Sequence, residues 1–230
     1  MKRFRIIVCS FVLWAMAINV YAQEKVVING TKAVTEKKDG KEIVKESTFS
    51  IVEEADHGGR KVFGRVAAGI GSQKGCNGIG DVTATLYLKA WGKKRTETET
   101  FTTNGKTRTE RSHIYGFFDI KARGAMNIGA KSEQEQFAEN GQIMVGLSSY
   151  YFAGAAEKFG SYFGLDAGYG CNLNHSDYRG FALETEIGVV LFKKLTVGYA
   201  FNKQTLKFHG EGAGIKQKVH THMFRLGVFF

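Results

Sequence analysis

The residues that could form a catalytic site lie within a short stretch of the chain. The segment Asn174-His175-Ser176-Asp177 is followed by Glu184 and Glu186, which brings a serine, a histidine and three carboxylates close in sequence. A serine nucleophile needs its base within hydrogen-bond distance, and an acid must orient that base. His175 and Ser176 are adjacent, however, and adjacent residues of a strand point to opposite faces. The segment also has the composition of a polar loop, so we expect no catalytic site and no enzyme activity.

Neither a metal nor a cofactor is expected. His220 and His222 would share one face of an extended strand, with His209 nearby, but no cysteine or carboxylate joins them at ligand spacing. Cys76 and Cys171 lie outside the N-terminal apolar segment, and an oxidising compartment would allow them to pair. The sequence leaves two alternatives open for them, a disulfide and two separate thiols.

Isolated charges at alternate positions form a more promising set. Each lies in a row made mostly of small or polar residues, opposite an apolar row. Burying one charge alone is costly, so we expect these charges to pair across an enclosed interior. We favour a static salt-bridge plug that fixes strand register, and the alternative is a narrow ion path. The predicted inward charges are Arg65, Lys89, Asp119, Lys121, Arg123, Asp166, Glu184, Glu186 and Arg225.

Period-two alternation predicts that these charges lie on β-strands. The pattern recurs in segments of about ten residues, the length that a tilted transmembrane β-strand requires. We therefore predict an all-β fold, an antiparallel transmembrane β-barrel of eight strands, with ten strands as the alternative. The predicted strands cover residues 62–70, 82–91, 114–123, 143–152, 162–171, 181–191, 195–202 and 218–230.

A soluble β-sandwich also alternates, but its polar face meets water and carries many charges. Here the polar rows are rich in small residues, which suits the narrow interior of an eight-stranded barrel. The chain has 29 glycines and no proline, and a proline would interrupt the hydrogen bonds between strands. Aromatic residues at the ends of the rows, among them Trp91, Phe117, Tyr151 and Tyr162, would suit an interfacial girdle.

Both ends of the chain fit export to the outer membrane. Met1–Ala22 has a basic start, an apolar centre and small residues before Gln23, which is the pattern of a secretory signal peptide cleaved near Ala22. The final strand alternates between an apolar row and a mixed row, and the apolar row ends on an aromatic residue. That ending resembles the assembly signal of outer-membrane barrels, formed here by Phe224, Leu226, Val228 and Phe230.

The segment before the first predicted barrel strand has charges on both faces and a turn at Asp39-Gly40. Residues 23–59 are therefore predicted to be an N-terminal extension or an extra hairpin, and residues 60–230 to be the barrel. A second segment, Lys93–Ser112, also has no apolar face. We expect it to lie outside lipid, on the periplasmic side according to strand parity.

A hairpin is predicted within Lys93–Ser112. Asn104-Gly105 suits a two-residue type I′ turn. Such a turn would place Phe101 opposite Arg108.

With these features together, Arg60–Phe230 resembles the small bacterial outer-membrane β-barrel proteins of the opacity and adhesin group. The resemblance implies a non-enzymatic structural, surface-interaction or assembly-partner role. The implied partners are outer-membrane lipid, lipopolysaccharide, the barrel-assembly machinery and other envelope proteins. The net charge of +10 fits solvated loops or anionic headgroups, and nucleic acid is not an expected partner after secretion.

Three alternatives stay open. One is a narrow porin, and another is a soluble periplasmic binder similar to a lipocalin. The third is a lipid A-modifying enzyme, because lipid A deacylases are similar barrels that use a serine, a histidine and a glutamate. In that family the serine and histidine are two residues apart, whereas His175 and Ser176 are adjacent.

Overall fold

The structure is a computed structural model that describes residues 25–38, 41–57, 60–74, 76–102, 105–129, 137–153, 158–210 and 214–230. Met1–Ala22, the predicted signal peptide, lies outside these ranges. No helix among the described residues is both long and apolar enough to cross a membrane. Within the described ranges the strands are β1 (Lys25–Lys38), β2 (Lys41–Ala55), β3 (Val62–Gln73), β4 (Cys76–Phe101), β5 (Thr107–Asn127), β6 (Asn140–Ala153), β7 (Phe159–Asn172), β8 (Tyr178–Leu191), β9 (Leu195–Phe208) and β10 (Lys216–Phe229).

All of these strands belong to one antiparallel sheet, part of which closes into a ring. The sheet order is β1-β2-β4-β3-β10-β9-β8-β7-β6-β5, and β4 also pairs with β5, so β3 to β10 form the ring. At one junction β10 pairs with β3, from Thr221↔Gln73 to Phe229↔Arg65. The predicted all-β antiparallel fold is confirmed. The described sheet has ten strands, and the ring has the eight that the alternation predicts.

The chain divides into two compact units. Unit 1 consists of Met1–Gly58 and Trp91–His113, and unit 2 consists of Gly59–Ala90 and Ile114–Phe230. Strands β4 and β5 are long enough to contribute residues to both units.

In unit 2, burial alternates along the strands as the sequence predicts. On β8 the side chains of Leu183 and Ile187 are exposed, whereas Glu184 and Glu186 are buried. Strands β8 and β9 are joined at residues 192–194, where Phe192 and Lys193 have positive φ angles of 54° and 61°. These two left-handed residues form a tight turn that joins the antiparallel strands β8 and β9. Unit 2 therefore has one face rich in apolar residues and an interior that carries the charges.

Unit 1 is a sheet in the order β1-β2-β4-β5. Strands β1 and β2 pair without a register shift from Lys25↔Glu54 to Lys38↔Lys41. Strand β2 in turn pairs with the second half of β4, from Ser47↔Phe101 to Ala55↔Lys93. The two segments that lack an apolar face in the sequence therefore lie in one sheet.

The predicted register of the β4–β5 hairpin is wrong. The Phe101 N–H donates to the Lys106 carbonyl at 2.9 Å, and the hydroxyl oxygens of Thr100 and Thr107 are 3.2 Å apart. Phe101 therefore faces Lys106 instead of Arg108, and the loop has four residues instead of two. Gly105 has a φ of +63°, in the left-handed region that favours glycine. Asn104, the first residue of the predicted turn, lies outside the described residues.

Candidate functional site: a buried ion-pair network

The charges that face the interior of the ring form a buried network. Eight of the nine predicted inward charges are buried, and Glu184 and Asp166 have no exposed surface. Lys89 is the exception and is only partly buried, because it lies near Ala90, where the ring portion of β4 ends. Its Nζ lies over the Tyr115 ring, 4.6 Å from the centroid. The buried charges from the predicted set are Arg65, Asp119, Lys121, Arg123, Asp166, Glu184, Glu186 and Arg225.

Arg225 on β10 binds three carboxylates in this network. Its Nη1 donates to Glu184 Oε1 at 2.6 Å and its Nη2 to Glu184 Oε2 at 2.9 Å, a bidentate pair. Nη1 also donates to Glu186 Oε2 at 2.9 Å, and Nη2 donates to Asp81 Oδ2 at 2.6 Å. One guanidinium therefore links β4, β8 and β10 across the interior.

Asp81 is a member of the network that the sequence analysis missed. Its Oδ2 accepts hydrogen bonds from Arg123 Nε at 2.8 Å and from Arg225 Nη2. The predicted strand starts at Val82, because glycines before it weaken the alternation. The inward row that contains Thr83 includes Asp81 when it is extended by two residues. The alternation therefore predicts that Asp81 also faces inward.

Lys121 connects β5 to β7 and β8. Its Nζ donates to Asp166 Oδ2 at 2.5 Å and to Glu184 Oε1 at 3.0 Å, and it lies 3.6 Å from Glu186 Oε2. All these side chains are almost completely buried. The ammonium is therefore surrounded by carboxylates from two strands.

Arg65 on β3 forms the end of the network nearest the aromatic residues. Its Nη2 donates to Glu186 Oε1 at 2.6 Å, and its Nε donates to Thr196 Oγ1 at 2.9 Å. The Tyr162 hydroxyl donates to the same Glu186 oxygen at 2.7 Å. Tyr162 was not among the predicted site residues, and its place in an inward row was the available signal.

Carboxylates exceed cations by one in this buried set. Among the described residues, its cations are Arg65, Lys121, Arg123 and Arg225, and its carboxylates are Asp81, Asp119, Asp166, Glu184 and Glu186. Asp119 is the carboxylate without a cation: its Oδ2 accepts a hydrogen bond from Ser148 at 2.5 Å. Oδ1 of Asp119 and Oδ1 of Asp166 have no hydrogen-bond donor in the described structure.

Gly146 makes this arrangement of the two aspartates possible. A Cβ at this position would lie 2.9 Å from Asp119 Oδ1 and closer still to Asp166 Oδ1. Any side chain here would displace one of the two carboxyl groups.

Uncharged layers flank the network along the strands. On one side lies an aromatic cluster that includes Tyr87, Phe117, Tyr150 and Tyr162. On the other side are buried amides, where Gln142 Nε2 lies 3.1 Å from the oxygens of both Asn202 and Gln204.

The predicted aromatic girdle is wrong for several residues, and Phe152, which it also included, packs against the inner aromatic cluster. Phe117 and Tyr162 face inward and are buried, because inward rows end in aromatics as well as outward rows. Tyr151 is exposed on the outer face, as predicted.

The residues considered for catalysis are not brought together. His175 and Ser176 lie in an exposed turn between β7 and β8, where the Tyr178 N–H donates to the His175 carbonyl at 2.9 Å. Glu184 and Glu186 are buried, and Arg and Lys side chains bind both carboxylates. These carboxylates are thus not available to orient His175 at the surface.

The cysteines and histidines also have identifiable surroundings. Cys76 and Cys171 do not form a disulfide, and Gln73 Nε2 lies 3.7 Å from the Cys76 sulfur. His222 Nδ1 is 2.5 Å from the Tyr199 hydroxyl. In the part of the chain that the structure describes, no group of three or more His, Cys, Asp or Glu residues could hold a metal ion.

The outer row of β10 is exposed as predicted, at Phe224, Leu226, Val228 and Phe230. The backbone of Phe230 pairs with Gly64: each N–H donates to the other's carbonyl, at 2.9 and 3.1 Å. The function of this row as an assembly signal stays a prediction.

Comparison with known proteins finds no matching family model and no matching curated protein. A solved structure described as "Bacterial polysaccharide outer membrane secretin" aligns over 89% of this chain and 80% of that chain, with 8% identity and a TM-score of 0.28. Another, described as "Unveiling the Mechanism Behind the in-meso Crystallization of Membrane Proteins", aligns over 87% and 82%, with 12% identity and a TM-score of 0.19. Neither likeness is close enough to carry an argument.

Proposed function

We propose that this chain is a bacterial outer-membrane β-barrel protein with a non-enzymatic structural, surface-interaction or assembly-partner role. The observation that carries the proposal is the outer face of the ring, where large apolar side chains are exposed on every strand. Soluble proteins rarely expose an apolar area of this extent, whereas lipid favours it. Examples, one from each ring strand in chain order, are Val66, Val82, Phe118, Ile143, Leu165, Ile187, Val197 and Phe224.

The outer-membrane location and the assignment to a group of barrel proteins are part of the same proposal. The signal-peptide pattern of Met1–Ala22 and the aromatic ending of the final apolar row support the outer membrane and processing by the barrel-assembly machinery. Both features, with the ring, support the opacity and adhesin group of small barrels. Strand parity would place the β4–β5 extension on the periplasmic side, where it could meet other envelope proteins.

We further propose that the buried network plugs the ring instead of lining a channel. Arg225, Glu184 and Lys121 are bound to one another with almost no exposed surface. A conducting path would need mobile water beside these groups, whereas Arg225 and Glu184 bind each other directly and have no exposed surface. The plug holds strands from different parts of the ring in one register.

Membrane insertion is tested on the full chain with one outward substitution and one inward control. Ile187→Arg places a charge on the apolar face, which costs about 2–4 kcal/mol near the middle of a bilayer. We expect reduced recovery of the variant in the membrane fraction and loss of the heat-modifiable band in detergent gels. Ala182→Gly on the same strand points inward and should leave both readouts unchanged. A wild-type chain that is freely soluble after export would contradict the proposal and support the soluble binder.

The plug is tested by conductance in planar bilayers. The wild-type chain should show no stable single-channel steps, because the interior is filled. Large, stable steps in the wild type would overturn the plug and favour the narrow porin. Tyr151→Phe on the outer face is the control. It leaves the interior of the ring intact and should leave the conductance unchanged.

We propose no catalytic role for His175, Ser176 or the two glutamates. Mass spectrometry of lipid A from cells with and without the chain tests this directly. An identical lipid A profile is expected. A mass change that disappears in Ser176→Ala would establish the enzyme alternative instead.

A further inference from the structure

Basic residues gather on the outer face of the ring, where β8 and β10 begin and β9 ends. Arg179, Lys207 and Lys216 stand in one cross-strand row, because Lys207 is paired with Arg179 on one side and with Lys216 on the other. Lys203 and Lys218 lie in the outer rows of β9 and β10, close to this row. All five side chains are exposed, and in the described structure none of them has an ion-pair partner. These five residues are called here the basic patch.

A row of three cations is unfavourable on a sheet that has no anion beside it. Residues directly opposite on antiparallel strands have Cα atoms about 4.5–5.5 Å apart, and like charges at such positions destabilise the pairing. The outer rows of β8, β9 and β10 contain no acidic residue. Asp177, in the turn before β8, forms no ion pair with Arg179 in the described structure. We therefore expect an anion from outside the chain to bind this row.

The neighbouring part of the ring has no such patch. The outer rows of β6 and β7 contain no charged residue along their whole length. At the same end of the ring they carry Gly141 and Ile143 on β6, and Tyr169 and Cys171 on β7. Charges that only kept the strand ends in water would be distributed over all the strands. The concentration of basic residues on three neighbouring strands is instead typical of a binding surface.

The side chains next to the patch indicate its depth in a membrane. Further along the same outer rows, the Tyr199 hydroxyl is 2.5 Å from His222 Nδ1, and the rings of Phe201 and His222 are 5.0 Å apart. Beyond this group the rows continue with exposed apolar residues, Val197 on β9 and Phe224 on β10. Aromatic residues with polar groups are typical of the interface between hydrocarbon and water. A membrane around the ring would therefore place the basic patch at the level of the lipid headgroups.

We infer that the basic patch binds the phosphate groups of lipid A, the lipid part of lipopolysaccharide, in the outer leaflet. The inference rests on the proposed function, in which β10 ends at the periplasmic side and therefore begins at the outer leaflet. A phosphate group supplies the missing negative charge and several acceptor oxygens. Arg179 can bind it through two parallel N–H groups, and the ammonium groups of Lys207 and Lys216 complete a cationic site around it.

Binding of fluorescent diphosphoryl lipid A to the full chain in neutral detergent micelles tests the inference, with fluorescence anisotropy as the readout. Lys207→Gln combined with Lys218→Gln removes two charges from the patch and should weaken binding about thirtyfold, given the usual contribution of a basic residue near an anionic surface. Lys158→Gln combined with Lys194→Gln is the matched control. It removes two exposed charges at the other end of the strands and should leave the affinity unchanged. Equal losses in the two double variants would overturn the inference.

A comparison of lipids provides a second test that needs no variant. The wild-type chain should bind diphosphoryl lipid A more tightly than dephosphorylated lipid A with the same acyl chains, and added salt should reduce the difference. Equal affinity for these two lipids, or binding of phosphatidylglycerol as tight as that of lipid A, would refute the assignment.

The heat-modifiable band in detergent gels separates this inference from the proposed function. A wild-type chain that shows the band but has no preference for phosphorylated lipid A contradicts the basic patch alone. A wild-type chain that lacks the band contradicts the proposed barrel, and the inference that rests on it is then overturned as well.

Discussion

Ion pairs in the ring interior and ion pairs on the unit 1 sheet have the same chemistry but different surroundings. In the ring, Arg225 and Glu184 are 2.6 Å apart with 0% of either side chain exposed. On the unit 1 sheet, Lys94 and Glu54 are 3.3 Å apart with 32% and 42% exposed. Water therefore screens the second pair, whereas the members of the first pair cannot exchange their protein partners for water.

The contrast shows what fixes the register of the strands in each unit. The ring interior allows one arrangement of strands, because a slip would leave a buried charge without its partner. The unit 1 sheet has polar side chains on both faces, and its register depends more on turns and backbone pairing. Gly30 provides one local constraint, since the ring of its cross-strand neighbour Phe49 covers it.

The largest effect is expected from Glu184→Gln in the ring. The substitution leaves the Arg225 guanidinium and the Lys121 ammonium short of a buried counter-charge, which should lower the free energy of unfolding by about 3–5 kcal/mol. Urea titration of the heat-modifiable band measures this loss. Glu97→Gln is the matched control, because the Arg95–Glu97 pair is about half exposed and should contribute less than about 1 kcal/mol. Equal losses in both variants would show that the interior is as wet as the surface.

A smaller effect should separate the two neighbouring aspartates. Asp166→Asn removes a charge that binds Lys121, so a loss of about 1–3 kcal/mol is expected. Asp119→Asn removes the surplus carboxylate, which has Ser148 as its hydrogen-bond partner and no cation. It should therefore cost less than Asp166→Asn, or even stabilise the ring. The same urea titration ranks the two variants, and the reverse order would contradict the charge balance described above.

The sequence predicts the ring better than the network inside it. Alternation identifies which face each residue occupies, and the burial of Arg65, Glu184 and Arg225 agrees with it. It does not identify partners, because Arg225 meets Asp81 only through the closure of the ring. Asp81 itself was missed because glycines blur the start of β4.

The unit 1 sheet was harder to predict for a different physical reason. A strand with polar residues on both faces gives no hydrophobic signal for its pairing. The sequence therefore left residues 23–59 as an extension or a hairpin and did not pair them with Lys93–Phe101. The predicted β4–β5 loop is also too short. One glycine with a positive φ angle is compatible with several loop types of different length.

The smallest effect is expected from the exposed pair Lys94–Glu54. A double-mutant cycle with Lys94→Gln and Glu54→Gln should give a coupling of about 0.2–1 kcal/mol that falls when salt is added. Thermal unfolding of the purified chain at two salt concentrations measures it. A coupling as large as that of the interior pairs would mean that unit 1 shields these side chains from water.

The junction between β3 and β10 has a consequence for how the chain comes to be folded. Each of the other junctions of the ring joins strands that follow one another in the chain, but this one joins the first ring strand to the last. Until β10 has been synthesised, β3 keeps a bare edge, and Arg65 and Glu186 have no enclosed interior to occupy. Bringing distant segments together costs conformational entropy, and this cost arises before the contacts between the strands stabilise the ring. The ring therefore cannot close strand by strand during synthesis. The pairing of β3 with β10 can form only when every ring strand is present.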